Sequence, residues 1–361
     1  MALGRRHRRL PRRPSLRRVH EDDHGAWNRR ERDGAYELFP YGRRGRLGGR
    51  VTGSHDHPVA TTEARLRAFE REAAGLRAKL HRYCSRMVGS VIDGEDIVQE
   101  ALAKGFVAIR NGDMPDKTEP WLFRIAHNSA LDFLRKRARS RMSESEVELD
   151  EIADEDSALD ARIAAEASLA ELMQLPPAQR CTVVLKDVLG HSLEEIGEIL
   201  ETTETAIKGA LQRGRESLRK LAAAPLPAVP RPMLNREDMR RLGDYVAAFN
   251  ARDFDALRGL LADDVKLELV NRLRAEGKEY VGNYFGRYAD ETHWHFTTGT
   301  IEGRPAILVT SPDRPDGPPR YFILLDWENG RIAGIRDFLF ADYVMDGVDY
   351  ASQPPQAIDP R

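Results

Sequence analysis

Two pairs of amphipathic segments constrain this chain more than anything else in it. In the later pair, Ser192-Leu-Glu-Glu-Ile-Gly-Glu-Ile-Leu200 precedes Thr203-Glu-Thr-Ala-Ile-Lys-Gly-Ala-Leu-Gln-Arg-Gly-Arg215. Ser192 and Glu195 form a capping box ahead of Leu193, Ile196, Ile199 and Leu200. A short turn at Glu201-Thr202 leads to Thr203, a good N-cap for a helix burying Ile207, Leu211 and Leu218. Cap, turn and apolar period together define a helix-turn-helix. The second helix of that motif enters the major groove by its N-terminal residues. Glu204, Thr205 and Lys208 would then face bases, while Arg213, Arg215 and Arg219 would lie nearer phosphates. The alternative is a helical hairpin that only packs and has a solvated basic end.

The earlier pair begins with Asp93-Gly-Glu-Asp-Ile-Val-Gln-Glu-Ala-Leu102, after a helix expected over Glu63–Met87 and a turn at Gly89–Gly94. Ile97, Ala101, Phe106 and Ile109 carry its buried stripe, and Asp96, Gln99 and Glu100 its outer face. Those three also suit an ordinary solvated helix with acidic residues near its N-terminus. A polar loop, Asn111–Glu119, leads to Pro120, placed to start a helix. Leu122, Ile125, Ala126, Ser129 and Phe133 face inward there. Arg124, Asn128 and Arg135 share one face, and Lys136, Arg137 and Arg139 extend a basic end. Such a face suits a phosphate backbone, with Asn128 placed for a base edge, and equally suits solvent. Trp121 and Phe123 are either base-stacking groups or core.

In this order, the two pairs resemble region 2 (61–140) and region 4 (171–224) of a bacterial RNA polymerase sigma factor. The resemblance is to the extracytoplasmic-function (ECF) group of the sigma-70 family. It implies that Asp96, Gln99 and Glu100 dock on the β′ clamp helices of core RNA polymerase. Loop 111–119 and Arg124, Asn128, Arg135, Lys136 and Arg137 would serve the −10 promoter element. Glu204, Thr205, Lys208, Arg213 and Arg215 would serve the −35 element, with region 4 beside the β flap. It implies no catalytic residues, no cofactor and no metal. The family often has Arg-Asn where this chain has His127-Asn128, and Gly where it has Glu201.

A proline-rich stretch, Ala223–Pro232, separates these regions from a further domain expected over 236–350. Helices are expected at Arg236–Asn250, Phe254–Leu261 and Tyr280–Tyr288. Strands are expected from Asp263 and at Trp294–Gly299, Arg304–Thr310, Tyr321–Glu328 and Ile332–Phe340, with Asn329-Gly330 as a hairpin turn. Tyr245–Leu257 and Asn329–Arg336 carry a resemblance to the SnoaL-like α+β cone. The expected class is therefore multidomain, all-α regions 2 and 4 followed by an α+β domain. By that resemblance the last domain is a fused regulator, open to a small-molecule or protein signal. The family's Asp-Gly-Gly-Gly-Lys motif is reduced to Ala275-Glu-Gly-Lys-Glu. His293, His295, Asp326, Arg336 and Asp337 are pocket candidates, and a structural role is the competing account of each.

The net charge of −2 conceals segregation: residues 1–50 hold fifteen arginines and no lysine, and 143–171 eleven carboxylates and one arginine. The first block reads as an unstructured arm within 1–60, and a translation start nearer Val51 fits it. The second reads as an acidic tether over 141–170; residues 225–235 and 351–361 read as linker and tail. Cys84 and Cys181 lack metal-ligand spacing and read as reduced core thiols. No apolar run reaches the ~20 residues that span a bilayer, so a cytoplasmic protein without membrane partners is expected. Two other classes fit parts of the chain: a helix-turn-helix regulator with a ligand-sensing domain, and an enzyme with a DNA-binding arm.

Overall fold

Helix α1 (Pro58–Val88) opens the part of the chain that the computed structural model describes: residues 58–113, 115–141, 158–223, 236–289 and 294–352. The expectations for the N-terminal arm and for a start near Val51 lie outside the described residues. Helix α2 (Val91–Asn111) starts earlier than expected, because Ser90 caps it by accepting from the Asp93 N–H. Gly94 belongs to this first turn rather than to a loop. A Cβ there would sit 2.7 Å from the backbone of Ser85, so only glycine lets α1 and α2 approach so closely. Helix α3 (Thr118–Arg141) completes the first bundle. Phe69, Leu80, Tyr83, Met87, Ile97, Ala101, Leu122 and Phe123 fill its core.

Regular structure resumes earlier than the acidic-tether reading allows. Helices α4 (Ala158–Glu166) and α5 (Leu169–Leu172) lie inside or across the stretch expected to be a linker. The physical reason is partnership. Ala164 is fully buried, and Asp160 receives Arg219 Nε and Nη2 at 2.6 and 2.7 Å. Helix α6 (Pro177–Val183) runs into a π-helical turn, Val184–Val188. Then come α7 (Leu193–Leu200) and α8 (Glu204–Ala223). The capping box of Ser192 and Glu195 is present as read, and Thr203 Oγ1 accepts from the Ala206 N–H at 3.3 Å. Ile207, Leu211 and Leu218 are buried. Both cysteines are free and buried, and burial pushes the Cys181 thiol up to about 12.

The C-terminal domain follows the expected order of helices, then sheet. Helices α9 (Arg236–Asn250), α10 (Phe254–Gly259) and α11 (Lys278–Ala289) accompany a seven-stranded mixed sheet. Its strands are β1 (Leu261–Leu269), β2 (Leu273–Glu276), β3 (His295–Ile301), β4 (Arg304–Thr310), β5 (Tyr321–Glu328), β6 (Arg331–Asp337) and β7 (Tyr350–Ser352). Their order is β2-β1-β6-β5-β4-β3-β7, antiparallel except for β1 beside β6. One face packs Val265, Leu267, Phe296, Ile323 and Ile335 against Phe249 and Phe285 of the helices. Asn329-Gly330 makes the hairpin turn with φ of 51° and 77°, as a type I′ turn requires. Strands β2 and β7 were not expected. Each is a short edge strand without buried alternation, so neither has the pattern that marks a strand in sequence.

Asp337 lies wholly inside this domain. Its carboxylate accepts from the hydroxyls of Tyr284 and Tyr288 at 2.8 and 2.6 Å and from the Leu339 N–H at 2.9 Å. Burial pushes its pKa up to about 6, against the pull of those donors. The folded state therefore holds this proton more tightly than the unfolded chain does. The resulting stability is full below the unfolded value and disappears as pH rises through about 6. A shift of this size corresponds to roughly 3 kcal/mol. Denaturant unfolding from pH 4 to 7 is expected to show this decline in the native chain relative to Asp337→Asn. Parallel curves would rule it out.

Candidate functional site

The outer face of α2 meets the outer face of the sheet. In the strand register Glu268 of β1 stands opposite Arg274 of β2 and Arg336 of β6, which sets three charged side chains in one row. Arg336 forks onto the Asp96 carboxylate, and its Nε lies 3.1 Å from Glu268. The Gln99 amide donates to Glu268 at 3.1 Å and accepts from Arg274 at 2.5 Å. Burial alone would raise the Glu268 carboxyl, but Arg274, Arg336 and Gln99 outweigh it and hold it below its usual range. Two of the three residues expected to dock on polymerase, Asp96 and Gln99, are thus engaged by the sheet of the C-terminal domain. Glu100 points elsewhere and pairs with Lys104 at 2.7 Å.

The contact extends along the start of α2. Glu302 sits at the β3–β4 hairpin tip with φ of 50°. It accepts from the Val91 N–H and the Ser90 hydroxyl, both at 2.6 Å. A carboxylate there meets the free N–H groups and positive end of the helix dipole. Val91 and Ile92 are buried within the apolar core of the C-terminal domain. Behind them Arg77 pairs with the fully buried Glu95. Tyr343, from the 3₁₀ turn Asp342–Met345, accepts from Arg77 at 2.7 Å and donates to Glu95 at 3.0 Å. Arg82 bonds Asp346 at 2.8 Å.

The basic face of α3 is occupied in part. Arg124 pairs with Glu201 at 3.0 Å and Lys117 with Glu198 at 2.7 Å, so region 4 lies against it. Asn128 and Lys136 are exposed. Arg135 pairs with Asp132 at 3.0 Å, and Arg137 donates to the Val88 carbonyl at 3.3 Å. Phe123 is fully buried, edge-on to Tyr83 and His191, so it is core rather than a base-stacking group. Trp121 is half-buried against Phe69. Burial and Arg135 push His127 down to about 4, and its Nδ1 shares a hydrogen bond of 2.7 Å with the Tyr83 hydroxyl. An open cavity of about 480 Å³ lies between α1 and the start of α3, lined by Arg71, Gly75, Lys117, Glu119 and Pro120, with Glu195 of α7 among its walls.

In the helix-turn-helix, Glu201 takes the left-handed conformation, φ 52°, that the family's glycine would adopt without strain. Glu204, Thr205 and Lys208 are exposed on the first turns of α8, with Lys208 and Glu204 paired at 2.8 Å. Arg213 is half-buried beside Gly209. Arg215 corrects the sequence reading. It is buried and holds Asp187 through Nε and Nη2 at 3.0 and 2.7 Å, so it joins α8 to the π turn and does not reach solvent phosphates. Arg219 is likewise committed to Asp160.

Among the described residues the pocket candidates do not all meet, although Asp326 and Arg336 line one open cavity of about 420 Å³ on the outer face of the sheet. Arg336 and Asp337 are neighbours on one strand, so their side chains leave opposite faces of the sheet. One meets α2 and the other is sealed in the core. Asp326 is exposed on β5. His295 is half-buried at the start of β3, where its carbonyl accepts from Thr310. His293 lies outside the described residues. Among the described residues no cluster suits a metal ion, and no helix is long and apolar enough to cross a membrane. Sequence reasoning missed Glu268, Arg274, Glu302 and Tyr343. The register of charged residues on alternate positions of β1, β2 and β6 was the one available signal for the first two.

Comparison with known proteins agrees with this architecture. Residues 74–140 match the model of Sigma-70 region 2, and 167–218 that of Sigma-70, region 4. The ECF RNA polymerase sigma factor SigW of Bacillus subtilis is 37% identical over 153 residues, covering 39% of this chain and 82% of SigW. SigG of Mycobacterium tuberculosis is 30% identical over 255 residues, covering 63% of this chain and 66% of SigG. The crystal structure of M. tuberculosis SigJ aligns over 74% of this chain and 95% of its own, at 21% identity and a TM-score of 0.30. The chain belongs to the ECF RNA polymerase sigma factors. Its function is promoter-specific initiation of transcription. A stand-alone regulator would leave the region 2 match unexplained.

Proposed function

We propose that α2 docks on the β′ clamp helices through Asp96, Gln99 and Glu100, and that α3 and the first turns of α8 read the −10 and −35 elements. Region 4 sits beside the β flap, and the protein works in the cytoplasm. The C-terminal domain restrains this activity. The observation that carries the restraint is the clasp of Arg336, Arg274 and Glu268 on Asp96 and Gln99. Polymerase and the sheet compete for one helix face, and a small molecule or protein that loosens the sheet would activate the factor.

Copurification with core RNA polymerase and run-off transcription from a promoter library test this reading. Asp96→Arg is expected to lose polymerase retention and transcription together, with its circular dichroism spectrum unchanged. Retention at the native level would remove α2 as the docking helix. Lys208→Ala is expected to keep polymerase binding and change preference within the −35 element by about 1–3 kcal/mol per affected base pair. Equal loss on every −35 variant would count against base reading by Lys208.

A further inference from the structure

The helix that precedes the −35 reader carries four glutamates, Glu194, Glu195, Glu198 and Glu201, in and just after α7. Two of them reach the −10 face. Glu198 holds Lys117, in the loop before α3, and Glu201 holds Arg124, on α3 itself. Glu195 borders the cavity beside that loop. The helix is anchored beneath these charges: His191 packs edge-on to Phe123 with ring centroids 4.9 Å apart. Glu201 does this from a left-handed conformation, which disfavours every side chain relative to glycine. A turn selected for backbone ease alone would place glycine or asparagine there.

We propose that α7 is an internal stand-in for promoter phosphates, whose carboxylates at 198 and 201 occupy Lys117 and Arg124 until nucleic acid displaces region 4. The inference rests on the −10 role of α3 proposed above. It is separate from the restraint by the C-terminal domain, since it uses other residues on another helix. Both pairs are exposed, with side-chain accessibilities of 57% and 39% for Lys117 and Glu198, and 38% and 68% for Arg124 and Glu201. The latch is therefore weak and salt-sensitive. It lowers the apparent DNA affinity of the free chain by the fraction that stays closed. Promoter phosphates, dense and numerous, outcompete two carboxylates once polymerase holds the factor on DNA.

The test uses the full chain without polymerase and a fluorescein-labelled, mixed-sequence, single-stranded oligonucleotide, followed by anisotropy. Glu198→Gln with Glu201→Gln is expected to tighten binding roughly two- to tenfold. Asp313→Asn with Glu328→Gln makes the same change in net charge on the exposed surface of the C-terminal domain, and is expected to leave affinity unchanged. Adding Arg124→Ala to the first pair is expected to abolish its gain. An equal gain in the charge control would overturn the proposal, because net charge and not position would then set affinity. No gain from the Gln pair, with a loss on adding Arg124→Ala, would overturn the stand-in and keep the −10 role. No loss on adding Arg124→Ala would overturn both.

Discussion

Arg336→Glu is expected to raise the affinity of the full chain for core RNA polymerase by up to about thirtyfold. Arg336 is mostly buried and answers two carboxylates, Asp96 and Glu268. Reversing it sets three like charges against one another at the centre of the contact. Asp96 is half-exposed, so solvent screens part of the effect, and roughly 2 kcal/mol is a fair expectation. That free energy moves the equilibrium between covered and uncovered α2, and the gain cannot exceed the bias that covering imposes. Tyr343→Phe acts in the same direction with a smaller effect, since it removes one hydroxyl from the Arg77–Glu95 pair. Surface plasmon resonance with immobilised core enzyme reads both. Unchanged or weakened binding in both variants, with native folding, would mean that the C-terminal domain does not restrain docking.

Arg215→Ala is expected to destabilise region 4 by about 3–5 kcal/mol, since Asp187 would be left buried without its partner. Both side chains are almost fully enclosed, at 5% and 2% accessibility. Arg215→Lys should recover only part of this, because a single ammonium cannot reproduce the two-pronged contact. Promoter binding falls in Arg215→Ala through loss of structure, whereas in Lys208→Ala it changes without loss of structure. Chemical denaturation separates the two. A native denaturation midpoint for Arg215→Ala would return that residue to the DNA-facing set.

These expectations could be drawn only in part from the sequence. The helix-turn-helix was legible because its signals are local: Ser192 with Glu195, Thr203, and Ile207, Leu211 and Leu218 at helical spacing. The turn at Glu201 was open in the sequence to either a strained residue or a different turn, and the structure shows the first, with φ of 52°. The order of helices and sheet in the C-terminal domain was legible for the same reason, and its hairpin at Asn329-Gly330 most plainly. What escaped were features without a local signal. Edge strands β2 and β7 are too short to show alternation, and α4 lies in an acidic stretch whose composition resembles a solvated tether.

The sequence by itself determined most of the helices and strands, the faces they bury, and the family to which regions 2 and 4 belong, because periodicity and capping are encoded within a few turns. Only the tertiary structure decided the fate of the exposed charges. Arginines look alike in sequence, yet Arg215 closes on Asp187, Arg124 on Glu201 and Arg336 on Asp96. Each partner is distant along the chain, and the long arginine side chain reaches whichever carboxylate the packing of helices and sheet brings within range. Segments legible as docking and promoter-reading surfaces are thus held against other parts of the same molecule, a fact that depends on contacts between elements and not on the pattern within any one of them.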